Sequence, residues 1–279
     1  MHKTLPSALL ALFLAACGGE NLTPPAHGDY QAPGTGALEC VPNLDGRIEA
    51  SELSVALGVP MNLLVPPAGV TRAVDLAGTL DEDGHRLWDW GADYADDQLA
   101  RVAAAPLAGR WYAPSFPAGE FVVPFDLGGS VEAIYSKDSA SMRLHGLASA
   151  LPDPAEGRTL LVYDQPIVVF RFPIEPGAEW RSTGTVRGGV VRGIPYAARD
   201  TYDVRVDGAG RLVLPDLLFT QAHRVRTTVT VEPAVGAPVV QRQVSFLFEC
   251  FGEVARATSL PGETEDDFTT AAELRRLGL

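Results

Sequence analysis

The densest chemistry in the sequence lies between residues 81 and 125. Trp88 and Trp90 flank Asp89, with Asp81, Asp83, Asp93, Asp96 and Asp97 close by. From Trp88 to Phe125 the chain carries eight aromatic side chains, Trp111 and Tyr112 among them. If Leu87 to Trp90 is extended, both indoles point to one side and Asp89 to the other, because side chains alternate along a strand. Aromatic faces beside carboxylates suit stacking on sugar rings, whose C–H faces are apolar and whose hydroxyls need acceptors. Trp88, Trp90, Trp111 and Tyr112 are therefore the ligand-binding candidates. The competing reading buries these aromatics in the core and leaves the acids as a solvated face. His85, inside the acidic stretch, is a further candidate metal ligand. His145 and His223 fall in expected strands and read as surface or hydrogen-bonded residues; His27 falls in the N-terminal segment.

A second constellation runs from Cys40 to Glu52. Asn43, Asp45, Glu49 and Glu52 offer side-chain oxygens, Arg47 offers its carbonyl, and Gly46 permits a sharp turn. This spacing resembles the later part of an EF-hand or dockerin calcium loop, with Asn43 at position 3, Asp45 at 5, Gly46 at 6, Arg47 at 7, Ile48 at 8, Glu49 at 9 and Glu52 at 12. The resemblance implies calcium as the one cofactor to consider. It breaks at position 1, where Val41 has no side-chain oxygen and Pro42 follows. The alternative is a loop that has lost the ion, in which Asp45-Gly46 makes the turn and the glutamates favour the first turn of a helix.

The N-terminus has a different character. His2 and Lys3 precede an apolar run from Leu9 to Ala16, which is too short for a permanent membrane span and has the form of a secretory signal. The run ends in Leu14-Ala15-Ala16-Cys17, which resembles the lipobox of bacterial lipoproteins. The resemblance implies cleavage before Cys17 and acylation of that cysteine. Several acyl chains hold a protein durably to a membrane, at roughly 0.8 kcal/mol per buried CH₂. Gly18, where Asp would favour retention at the inner membrane, points to the outer one. Cys40 and Cys250 remain, and an even pair in an oxidising compartment is expected to form a disulfide. Closing so long a loop constrains the unfolded chain by roughly 5 kcal/mol.

The net charge of -13 argues against nucleic acid and anionic lipid headgroups as partners. No GxSxG elbow, HExxH, P-loop or GxGxxG is present. A glycosidase-like carboxylate pair stays open, because it needs closeness in space rather than in sequence. The function expected is a lipid-anchored, non-enzymatic binding or structural component of the cell envelope, with a glycan or an envelope protein as ligand. The alternatives are an envelope hydrolase using paired carboxylates and a weak calcium-dependent module.

The elements that must position these residues are mostly strands. Residues 1–16 form the signal segment and 17–38 a Gly- and Pro-rich tether. Residues 39–258 form a β-rich domain, with a candidate subdivision at 151–157, and 259–279 an acidic loop and tail. His223–Val231 alternates, with Val225, Val229 and Val231 on one side and Arg224, Arg226, Thr228 and Thr230 on the other. Pro238–Cys250 alternates as well. Asp207-Gly208-Ala209-Gly210 reads as a hairpin turn. Short helices are expected at Glu49–Leu57 and Thr269–Leu277. Many short strands with frequent turn residues make the class mainly β, an antiparallel sandwich or barrel-like domain with a short helix near each end.

Overall fold

The computed structural model describes residues 40–279. The signal segment, Cys17 and the tether lie outside the described residues. Sixteen strands follow one another among them. The first six are short: β1 (Met61–Val65), β2 (Arg72–Ala73), β3 (Thr79–Leu80), β4 (Arg86–Asp89), β5 (Gln98–Val102) and β6 (Ala105–Pro106). The next five lengthen: β7 (Phe121–Pro124), β8 (Val131–Lys137), β9 (Ser141–Ser149), β10 (Leu160–Arg171) and β11 (Glu179–Val191). The last are β12 (Ile194–Leu214), β13 (Leu217–Pro233), β14 (Val239–Phe248), β15 (Gly252–Ser259) and β16 (Thr270–Leu277). The fold is mainly an antiparallel β-sheet, in the order β5-β1-β16-β15-β14-β13-β12-β11-β10-β9-β8-β7-β6, with β4 joining the far half of β12 in parallel.

The sheet curls on itself. Arg275 of β16 donates to the carbonyl of Phe125, just beyond β7, at 3.0 Å, although eight strands separate β16 from β7 in the order. Tyr135 of β8 and Tyr202 of β12 pack on one buried cluster. In a flat sheet they would stand four strand spacings, about 19 Å, apart. The sheet therefore has a concave and a convex face.

Two excursions cover the convex face. Residues 74–90 lay Leu76, Trp88 and Trp90 on Val244, Phe246, Ala255, Ala257 and Leu274 of β14–β16. Residues 107–116 lay Leu107, Tyr112 and Phe116 on Val122, Ile134 and Ala148 of β7–β9. Each fully buried large apolar side chain contributes about 1.5–3 kcal/mol, so these aromatics bind the excursions to the sheet. A disulfide ties Cys40, where the described residues begin, to Cys250 in the turn between β14 and β15.

Three expected elements take another form. Glu49–Leu57 is not a helix; only Ala50–Glu52 makes a 3-10 turn, capped by reciprocal bonds between Glu49 and Glu52. Leu57 then bridges Ala104. Thr269–Leu277 is not a helix either. It forms β16, because its unpaired backbone completes the ladder between β15 and β1. Asp207–Gly210 is no hairpin turn. It lies inside β12, where the register shifts between Val206 and Gly208 and again between Gly210 and Leu212. Glycine there serves a bulge and a close approach: a Cβ on Gly210 would stand 2.3 Å from the Arg86 carbonyl oxygen.

Candidate functional site

The tryptophans are placed by the core. Trp88 is completely buried, and its Nε1 donates to the Leu76 carbonyl at 3.1 Å. Trp90 Nε1 donates to Asp75 O at 3.0 Å, and both indoles pack on Phe246. Tyr112 is buried and donates to Glu132, which Arg110 also meets at 3.0 Å. Half-buried Trp111 donates to Ser149 O and lies beneath the Arg158 guanidinium. Trp88, Trp90 and Tyr112 expose no face to a sugar, which corrects their reading as ligand platforms.

The loop from Asn43 to Glu52 spends its oxygens internally. Asn43 Oδ1 accepts from Asp45 N, Asp45 Oδ1 accepts from Arg47 N, and Glu52 accepts from Asn43 Nδ2 and Glu49 N. The Arg47 guanidinium stands 3.4 Å from Asp45 and 3.2 Å from Glu49. An arginine cation thus sits beside the carboxylates that would have to ligate calcium. The loop is held from the far end of the chain: buried Glu249 accepts from Asn43 N and Leu44 N, and Gln221 and His223 bond Gly46. Among the described residues, the only group of acidic and histidine ligand atoms close enough to share an ion is Asp81, Asp83 and His85. Asp81 there also accepts the backbone N–H groups of Asp83 and His85, which shapes the β3–β4 turn.

A serine and a histidine meet on the sheet. Ser136 Oγ and His145 Nε2 are 2.7 Å apart across β8 and β9, with both side chains buried. Burial, and then Arg143, hold the imidazole below its ordinary value.

The concave face gathers the chemistry that the sequence does not announce. Cross-strand partners share a face. One row across the sheet runs Val206, Val225, Ser245, Arg256 and Arg275; its neighbour runs Val204, Thr227, Gln243, Thr258 and Glu273. In these two rows the inner surface is apolar on β12, mixed on β13 and polar on β14–β16. Gln243 donates to Ser245, Ser245 donates to Glu253 at 2.8 Å, and Arg256 holds the same Glu253 oxygen at 2.8 and 3.0 Å. Arg256 and Glu253 keep 26% and 23% of their side-chain surface free of protein contact, so this part of the interior is not filled by packing.

Tyrosines face that polar band. Tyr196, Asp200 and Tyr202 alternate along β12, and Tyr163 comes from β10. Tyr163 donates to Asp200 Oδ2 at 2.5 Å. The Tyr163 ring fits because its neighbour is glycine: a Cβ on Gly184 would meet Tyr163 Cδ1 at 2.9 Å and the Gln165 carbonyl at 2.6 Å. Burial raises the Tyr163, Tyr196 and Tyr202 hydroxyls above their ordinary value, and the Asp200 charge adds to the effect. Burial likewise raises the Asp200 carboxyl, against the opposing bond from Tyr163. Asp200 is 9% exposed, and its Oδ1 is buried without a hydrogen-bond partner.

The convex face carries a second polar feature. Arg224 and Arg226 meet Asp207, and Arg226 continues to Asp266 and Asp267 of the acidic loop. Arg242 bonds Glu263, Thr264 and Asp266 of the same loop. The expected acidic segment is thus strapped over arginines of β13 and β14. An open groove of about 520 Å³ runs beside it, lined by residues including Glu179, Arg181, Asp203, Arg205 and Asp266. Its charges already face one another in pairs.

Comparison with models of known protein families, with curated proteins and with solved structures finds no match.

Proposed function

We propose that the chain is a lipid-anchored cell-envelope protein with a non-enzymatic binding role, whose ligand sits against the concave face of the curled sheet. The anchor rests on the lipobox at Cys17 and the address on Gly18. The binding role rests on one observation: a half-polar inner face on which Tyr196, Tyr202, Asp200, Glu253 and Arg256 converge from β12 and β15. An inner sheet face that served packing alone would be apolar, since buried polar groups need partners. Concave sites with a few convergent polar groups are where small ligands bind. A glycan fragment or a short segment of an envelope protein fits the mixture of aromatic rings, acceptors and donors.

The test has two arms. Cys17→Ser should abolish labelled palmitate incorporation and release the protein from membranes; continued labelling overturns the anchor. Envelope glycan fragments and peptides are then titrated against the released protein while tyrosine ring signals are followed by NMR. Shifts at Tyr196 and Tyr202 support the concave site, and shifts confined to other aromatics overturn it.

Envelope hydrolase is the second reading. It is favoured by two carboxylates, Asp200 and Glu253, on one concave face in unlike surroundings: one buried, one paired with arginine. Such asymmetry separates acid from base in glycosidases. Turnover of nitrophenyl glycosides, lost in Glu253→Gln, would establish it in place of simple binding.

A further inference from the structure

Asp200 is a buried carboxylate to which none of the described residues supplies a cation. No lysine, arginine or histidine among the described residues forms an ion pair with it, and only Tyr163 donates to it. Arg256, on the same face, is committed to Glu253. Across β11 and β13 its neighbours are Gly184 and Val231, which bring no charge. Its surroundings are instead the rings of Tyr163, Tyr196 and Tyr202, whose hydroxyls all feel its charge. An ionised carboxylate in such a place is costly unless a positive charge joins it. Aromatic rings attract cations through their faces, and several together form the cages that hold quaternary ammonium groups. The acidic chain as a whole also concentrates cations near its surface.

We infer that the concave site takes a small organic cation, an ammonium group seated beside Tyr163, Tyr196 and Tyr202 with its charge facing the Asp200 carboxylate. The inference rests on the concave-face binding reading and names the ligand's chemical class. Arg256 and Glu253 stand further along the face, where they meet the polar remainder of a larger ligand. The tyrosine hydroxyls remain protonated at neutral pH, so the carboxylate is the one group of the cage that supplies negative charge.

The experiment uses the full chain carrying Cys17→Ser, with tetramethylammonium as the probe and tert-butanol as a neutral probe of similar shape. Tyrosine ring signals are followed by NMR. Tetramethylammonium should give saturable shifts at Tyr196 and Tyr202 with an affinity at least about tenfold above that of tert-butanol, since one strong charge interaction exceeds 1.4 kcal/mol. Asp200→Asn should weaken the cation by about tenfold or more and leave tert-butanol unchanged. Unaltered tert-butanol shifts, together with an unchanged circular dichroism spectrum, show that the Asp200→Asn site is still folded. Equal affinity for the two probes, or an unaltered cation affinity in Asp200→Asn, overturns the inference while leaving a binding site in place. Silence from both probes at the tyrosines overturns the inference, and silence from the glycans and peptides as well removes the binding reading.

Discussion

Replacing Trp88 by alanine separates a structural indole from a ligand platform. The side chain is fully enclosed between the 74–90 excursion and the convex face. Removing a buried tryptophan to alanine costs about 3–5 kcal/mol through lost transfer energy and the cavity left behind. The Arg224 guanidinium lies 4.9 Å from the ring centroid, and losing that contact adds about 0.5–1 kcal/mol. The Leu76 carbonyl is not orphaned, because Arg224 also donates to it. The sum is about 4–6 kcal/mol, or a fall in Tm of about 10–20 °C for a unit of this size. Trp88→Phe keeps the ring against Phe246 and loses mainly the indole N–H, so it should cost only about 1–2 kcal/mol. Urea unfolding with the disulfide intact, followed by circular dichroism, measures both. A Trp88→Ala protein as stable as the parent, but unable to bind glycan, would refute the packing argument and restore the indole to a ligand role.

Two further outcomes follow from the charges. Burial holds the Asp200 carboxyl above its ordinary value of 3.8, so the native chain binds that proton more tightly than the unfolded one. The stabilisation is complete below the ordinary value and is lost as pH rises through the native one. Asp200→Asn should therefore gain stability on the parent chain as pH rises toward neutral, and the difference should vanish in acid. A pH-independent gap between the two urea midpoints would contradict this. Arg226→Ala leaves Asp207, Asp267 and the Asp266 carbonyl short of a nearly buried donor and should cost about 2–4 kcal/mol with little dependence on salt. Loss of less than about 0.5 kcal/mol in thermal unfolding would mean the acidic loop is not held by this arginine.

The sequence carries the strand signal where one face is apolar and the other is not. Val225, Val229 and Val231 against Arg224 and Arg226 is such a case, and the structure puts Val225 inside and both arginines on the convex side. The pairing of Cys40 with Cys250 was equally legible, from the count of cysteines and the oxidising compartment expected for the chain. The tail was misleading because Thr269–Leu277 has helical periodicity, but β15 and β1 offer it two ladders, and tertiary pairing outweighs local propensity. Bulges hid the continuity of β12: Asp207-Gly208-Ala209-Gly210 has the composition of a turn, and only the partner strands show that the chain runs through it. The site itself was the least readable part. Tyr196, Asp200 and Tyr202 share a face by simple alternation, but Gly188, Gly189, Gly193 and Pro195 interrupt the strand pattern around them. Glu253 and Tyr163 come from strands that adjoin β12 only through the curl of the sheet. The tryptophans drew attention because they are conspicuous, and they are conspicuous because they are packing material.

The two outermost strands of the sheet, β5 and β6, are joined by Ala103 and Ala104 alone. Their nearest Cα atoms are thus at most about 11 Å apart along the chain. β5 and β6 are the two ends of the strand order, so this pair of small residues keeps the two borders of the sheet, with their unpaired backbone, near one another. A protease nick at this point would remove no side chain from any core. It would nonetheless free the two borders to move apart and offer their unpaired backbone to other strands, so the least conspicuous alanines in the chain bear on its solubility.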